Sequence, residues 1–210
     1  MPAILKKPSP DGLSIGLWEI TEPYSELLNM ADLNEEEKAT LNSFKNENRR
    51  RQWLAVRVLL AEFISPRPTI LYEENGKPFL KDNSTEISIS HSGNMAAIAL
   101  HPRRSSGIDV EEIHPKINKI ATRFVNDEGM AFLKQDTLTE QLCIVWAAKE
   151  VLYKIYTAGM LSFKENISIA GFHLADEIEL QGTIMKDGMN KTYKMHSLKI
   201  KNYVLVYTAD

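Results

Sequence analysis

The stretch Gly107-Ile108-Asp109-Val110-Glu111 constrains the fold most, because apolar and acidic residues alternate in it at the period of a β-strand. Side chains two apart on a strand share a face. Asp109 and Glu111 therefore point the same way, about 6.5–7 Å apart along the backbone, while Ile108 and Val110 point into a core. Two acids beside an apolar wall repel each other unless something cationic lies between them. A magnesium ion takes one or two protein carboxylates and keeps waters or substrate phosphates, which suits that arrangement.

A second segment, Trp146-Ala147-Ala148-Lys149-Glu150-Val151-Leu152-Tyr153-Lys154, reads as helix. Glu150 and Lys154 are four apart and share a face one turn from each other. Leu138, Leu142, Val145, Leu152 and Tyr156 form an apolar seam, with Cys143, Trp146 and Tyr153 beside it. Glu150 falls on the Cys143–Trp146 flank, where an ionised carboxylate needs a partner. The same spacing also describes an ordinary Glu–Lys surface pair worth a few tenths of a kcal/mol.

The rest of the chain organises around these segments. Ser14 to Trp18 reads as a strand, Asn34 with Glu37 as a helix start, and Asn48 to Ile64 as a helix stopped by Ser65-Pro66-Arg67-Pro68. Ile70 to Tyr72 is extended, and Asn75-Gly76 turns before Lys77. Glu86 to Ser90 and Met95 to Leu100 are strands joined around Gly93-Asn94. Residues 101–106 make the best boundary, which predicts halves at 1–103 and 104–210. A helix begins near Asp127, and the long helix opens on Thr137-Leu138-Thr139-Glu140, a capping-box pattern. Strands fill Ile167 to Thr208, with a turn at Lys186-Asp187-Gly188. Each half thus closes on a strand pair, Ile87 to Leu100 and Met195 to Ala209, which predicts two similar α+β halves.

With 210 residues, 43% hydrophobic and 25% charged, the chain has the make-up of a globular protein with a substantial core. A net charge of −3 argues against bulk nucleic-acid binding. No apolar run is long enough to cross a bilayer, and Met1 to Pro8 lacks the apolar region of a signal peptide. Cys143, the single cysteine, excludes an intrachain disulfide, and a cytoplasmic location is expected. Its apolar helical setting makes it core rather than nucleophile.

Taken together, the Gly-Ile-Asp-Val-Glu strand and the later Trp-x-x-Lys-Glu-x-x-x-Lys helix resemble the signature of the 4′-phosphopantetheinyl transferases. The larger, single-chain subgroup is the nearer pattern. Gly76-Lys77-Pro78-Phe79-Leu80, Ile87-Ser88-Ile89-Ser90-His91-Ser92 and Phe124 with Glu128 stand in the family's order, so the resemblance spans residues 14–165. Two positions depart from the pattern. Val151 replaces the usual alanine, and the glycine-rich stretch is thinned to Thr157-Ala158-Gly159-Met160-Leu161-Ser162. Both bear on loop shape and partner preference rather than on charge.

The resemblance implies pseudo-twofold halves with coenzyme A in the cleft between them. It implies magnesium on Asp109, Glu111 and Glu150, and transfer of the 4′-phosphopantetheine arm to a serine of an apo acyl, peptidyl or aryl carrier protein. Adenosine 3′,5′-bisphosphate is released, as in a holo-acyl-carrier-protein synthase. Two halves in one chain imply a monomer. Lys154 adds charge at the phosphates, and Glu150 or Glu128 is the candidate base. Glu128 also reads as an ordinary acid in a helix first turn.

Lys77, Ser90 and His91 are implied phosphate contacts, though a turn lysine and a strand-end histidine are commonly structural. Of the run Arg49-Arg50-Arg51, only one or two can meet a single ligand; Arg51 is the choice, with Arg50 or Arg57 as alternatives. Two other classes use the same residues: a magnesium-dependent hydrolase of the coenzyme's pyrophosphate, and a non-catalytic binding module.

Overall fold

In the computed structural model, which describes residues 3–8, 12–156 and 159–208, the chain divides into two compact units, Met1–Ser105 and Ser106–Asp210. Thr157, Ala158 and Ala209, which the sequence reading assigns to a loop and to the last strand, lie outside the described residues.

The first unit runs β1 (Ala3–Pro8), β2 (Ser14–Glu19), α1 (Tyr24–Met30), α2 (Glu35–Ser43), α3 (Glu47–Ala61), β3 (Ile70–Tyr72), β4 (Pro78–Leu80), β5 (Glu86–Ser92) and β6 (Met95–His101). β1, β2, β6 and β5 form one antiparallel sheet in that order, and β3 and β4 pair separately. β1 went unread in the sequence because it carries Lys6, Lys7 and Pro8, features that suit an edge strand and break apolar alternation.

The α2 start follows the local chemistry read from the sequence. Asn34 Oδ1 accepts from Glu37 N at 2.9 Å, and the Glu37 carboxylate accepts in return from Asn34 N at 3.4 Å. α3 begins one residue earlier than expected, capped by Asn46, and ends at Ala61. It buries Trp53, Leu54, Leu59 and Leu60 with Trp18, Ile20, Ala96 and Ile98 of the sheet.

The second unit runs β7 (Ile108–Glu112), a 3-10 turn (Pro115–Ile120), α4 (Ala121–Phe124), α5 (Asp127–Ala131), a second 3-10 turn (Gln135–Thr137), α6 (Leu138–Ile155), β8 (Ile167–Ile169), β9 (Glu177–Lys186), β10 (Met189–Ile200) and β11 (Tyr203–Thr208). Its sheet order is β7-β11-β10-β9-β8, antiparallel throughout. Each unit therefore lays its closing hairpin beside an earlier strand, β2-β6-β5 in one and β7-β11-β10 in the other. The architecture is α+β. Asp187 and Gly188, both at positive φ (50° and 82°), make the two-residue turn between β9 and β10.

One expected detail is corrected. Thr137 precedes α6 but makes no side-chain cap bond, so the Thr-x-x-Glu capping box is absent. Glu140 pairs instead with Lys199 of β10 at 2.7 Å, and Gln141 Oε1 accepts from Lys134 N at 2.7 Å. Long-range partners outcompete the local bond here. Leu142, Val145, Ala148 and Leu152 of α6 are fully buried with Val204 and Val206 of β11 and Met195 of β10.

Candidate active site

α6 and β7 meet as a ladder. Trp146, Glu150 and Lys154 recur every four residues and so share one stripe of the helix. Gly107, Asp109 and Glu111 alternate on one face of the strand. The pairings run in opposite directions along the two elements. At one end, Trp146 Nε1 donates to Glu111 Oε1 at 2.9 Å. Further on, Lys154 Nζ donates to Asp109 Oδ1 at 2.7 Å and to Ile108 O at 2.8 Å. At the far end the helix backbone comes so close that a Cβ on Gly107 would sit 2.5 Å from Val151 O. Glycine is required there for the strand and helix to approach closely enough to make the other contacts.

Burial makes the charges consequential. Asp109 is 4% exposed, and Ile108 and Val110 beside it are fully buried, the latter as expected from the alternation. Burial raises the Glu150 carboxyl above its ordinary value, the charge of Asp109 raises it further, and Lys154 pulls it back in part. Asp109 and Glu150 thus crowd negative charge into a poorly solvated place. Burial likewise lifts the Cys143 thiol to about 11, and its Sγ lies 3.7 Å from Glu112 O, which leaves it a core residue.

The three expected metal ligands are not drawn into one cage. Among the described residues, no three His, Cys, Asp or Glu side chains gather closely enough to hold a metal ion. The reason lies in the partners taken: Glu111 accepts from the Trp146 indole, and Asp109 accepts from Lys154. Asp109 and Glu150 still feel each other's charge, and magnesium needs only one or two protein carboxylates when phosphates and waters complete its shell. The donor set fits such a shared ion. Glu128 belongs to a different element from these acids. It lies exposed in the first turn of α5, whose cap is Asn126 Oδ1 accepting from Gly129 N at 2.8 Å.

In the first unit, α3 separates the arginines by role. Arg57 is 1% exposed, donates to Glu37 Oε1 at 3.0 Å and lies over the Trp53 ring; burial lowers its guanidinium to about 10. Arg67 closes on the same carboxylate at 2.8 Å, and Arg50 Nε donates to Phe44 O at 2.7 Å. Arg57 is therefore tied to Glu37, while Arg50, like Arg51, donates to main-chain carbonyl oxygen. Arg51 Nη2 donates to Ile20 O (3.2 Å) and Glu22 O (2.9 Å), next to the β5–β6 turn, where Gln52 Nε2 donates to Gly93 O and Ile20 N to Asn94 O.

β5 extends through Ser92, further than expected, with His91 across from Ala96 and Ser90 across from Ala97. As successive strand residues, Ser90 and His91 alternate between the faces of the sheet, near the end of its edge strand. Ser90 is 8% exposed, and His91 is half-buried. Lys77 Nζ lies 3.5 Å from Glu86 Oε2, at an open cleft of about 320 Å³ also lined by Glu73, Phe79, Asn83 and Thr85.

The sequence motifs contain Gly107, Trp146 and Lys149, but the sequence reading assigns none of the three a role in the site. The spacing of Trp146, one turn before Glu150 as Lys154 is one turn after it, carried a usable signal. Lys149 stands in the motif, but its acceptors are backbone carbonyls from another segment, which spacing does not reveal.

Comparison with known proteins places the family-model match on the second unit. The model of the 4′-phosphopantetheinyl transferase superfamily covers residues 105–208. The 4′-phosphopantetheinyl transferase AcpT of Escherichia coli O157:H7 is 35% identical over 112 residues, half of this chain and 57% of the relative. The AcpT of Salmonella typhi is 34% identical over 112 residues, 50% of this chain and 58% of the relative. The 4′-phosphopantetheinyl transferase HetI of Nostoc sp. (strain PCC 7120) is 29% identical over 170 residues, 72% of each chain. The chain thus spans little more than half the length of the AcpT relatives, and the residues matched by the family model include Gly107, Asp109, Glu111, Glu150 and Lys154. The chain belongs to the 4′-phosphopantetheinyl transferase superfamily.

Proposed function

We propose that this protein transfers the 4′-phosphopantetheine arm of coenzyme A to a serine hydroxyl of an apo carrier protein, in the manner of a holo-acyl-carrier-protein synthase. On this reading it is a monomeric, magnesium-dependent enzyme of the larger, single-chain subgroup. The observation that carries the reading is the ladder between α6 and β7: a buried Asp109 closed by Lys154, with Glu150 in the same field.

The bond formed joins the serine oxygen to the phosphorus nearer the pantetheine. The bond broken joins that phosphorus to the pyrophosphate bridge, so adenosine 3′,5′-bisphosphate leaves with the bridging oxygen. Such transfer depends on positioning and on neutralising charge as it develops. Asp109 and Glu150 would hold magnesium, with Glu111 the remaining candidate, and the ion when bound supplies charge neutralisation at the pyrophosphate.

Lys154 adds a cation beside the same phosphates. Glu150 and exposed Glu128 are the candidate acceptors for the serine proton. Arg51, Lys77, Ser90 and His91 are the first unit's candidates for the nucleotide phosphates. Ser90 and His91 lie near the end of β5, the edge strand of its sheet. No helix of the described residues is long and apolar enough to cross a membrane.

The test is mass spectrometry of apo carrier proteins incubated with the protein, coenzyme A and magnesium. A gain of one phosphopantetheine on the carrier serine is the expected result. Phosphopantetheine released free in solution would identify a hydrolase instead, and no turnover of coenzyme A would leave only a binding module.

A further inference from the structure

Lys149 is 3% exposed on α6, and its ammonium donates to Phe163 O at 2.6 Å and to Ile167 O. Burying an ammonium is costly unless its donors are used, and here two carbonyls of one segment use them. That segment presents the Phe163 ring to Trp146 at 5.3 Å and to Tyr153 at 5.5 Å between ring centroids. Phe124 meets Trp146 edge-on at 5.1 Å from another element. The indole so wedged aims its Nε1 at Glu111 Oε1, 2.9 Å away.

We propose that Lys149 is a positioning residue: it fastens the segment Phe163–Ile167 to α6, and through the Phe163–Trp146 contact it fixes the indole donor that orients Glu111. The chain of contact is continuous from ammonium to carbonyl, from ring to ring, and from indole to carboxylate. An acid oriented by a rigid donor keeps its place when a cation or phosphate arrives. One supported only by a loose ring has to be reordered at each encounter, and loss of such support typically costs about 10–100-fold in metal affinity or activity.

The kinetic half of this inference rests on the transferase reading, so the experiment has a readout that does not. In the 15N-labelled full chain each tryptophan indole gives one N–H cross-peak, and Trp146→Phe identifies its own by loss. Lys149→Met and, independently, Phe163→Leu are expected to shift the Trp146 peak and speed its exchange with deuterium. Those of Trp18 and Trp53 are expected to stay in place. Lys199→Met, which cuts the Glu140 tie at the other end of α6, serves as the control and is expected to leave the Trp146 peak unmoved.

In the transfer assay, Lys149→Met is expected to lower kcat about tenfold or more while KM for coenzyme A stays within about twofold. An unmoved Trp146 peak in both variants overturns the proposal. So does a moved peak with unchanged kcat, which would make Lys149 a staple of the fold alone. A wild-type protein that transfers nothing refutes the transferase reading by itself, and the indole signal then decides whether Lys149 holds Trp146.

Discussion

Replacing Asp109 by asparagine keeps the size of the side chain and removes its charge. In the wild-type protein the carboxylate is 4% exposed and 2.7 Å from Lys154 Nζ. Removing one partner of a fully buried ion pair costs about 3–5 kcal/mol, because the other charge is stranded. Two features reduce that figure here. The Lys154 side chain is 26% exposed, so water reaches its ammonium, and Glu150 stands four residues away on the same helix face as a substitute counter-charge. The asparagine oxygen still accepts one hydrogen bond.

The expected loss is therefore about 1–2 kcal/mol, read from urea unfolding followed by circular dichroism. Transfer, by contrast, is expected to fall at least ~100-fold, since a neutral amide neither attracts a divalent ion nor shapes the field at the phosphates. The Glu150 carboxyl should move back toward its ordinary value, because the Asp109 charge that raises it is gone. Wild-type turnover in Asp109→Asn would refute the argument. A stability loss above about 4 kcal/mol would refute it differently, by showing that Asp109 serves the fold first.

Three further outcomes are expected. Glu37→Gln leaves Arg57 and Arg67, 1% and 9% exposed, without their shared anion; it should cost about 3–5 kcal/mol in denaturant unfolding. Burial works to raise the Glu37 carboxyl, but the bond and charge of Arg67, the charge of Arg57 and the Asn34 amide outweigh it and hold the group low. The unfolded chain thus takes up that proton first, so the stabilisation is complete above about pH 4.3 and drains as pH falls through the lower folded value. Glu37→Gln should flatten that acid limb of a stability–pH curve. Gly107→Ala forces a methyl to 2.5 Å from Val151 O, a backbone atom that yields only if α6 shifts; about 1–3 kcal/mol of destabilisation is expected. Its activity should fall further than that loss explains, and equal falls would argue against the ladder. Chelation with EDTA should stop transfer and added magnesium restore it, with the unfolding curve little changed because Lys154 already neutralises Asp109.

Much of the fold could be read from local pattern, because local physics set it. The Asn34–Glu37 box, the Asn75-Gly76 and Asp187-Gly188 turns and the alternation of β7 are decided within a few residues, and each stands where expected. β1 was not legible, since Lys6, Lys7 and Pro8 give an edge strand no apolar period and its pairing with β2 is a matter of the sheet. The Thr137 cap misled for the opposite reason: a sound local motif lost to Glu140–Lys199 across the unit.

For the site, spacing alone determined that Asp109 with Glu111, and Glu150 with Lys154, each share a face, because helical and strand periods are fixed by backbone geometry. Which acid meets which cation was settled by packing. The closeness that Gly107 permits brings Lys154 to Asp109 and Trp146 to Glu111. The same holds in the first unit, where three candidate arginines differ only in direction around α3. Arg57 turns to Glu37, Arg50 to the Phe44 carbonyl, and Arg51 to the Ile20 and Glu22 carbonyls beside the β5–β6 turn. A one-dimensional pattern specifies directions along an element; which groups those directions bring together depends on how closely and at what angle the elements pack, and that exists only in the folded chain.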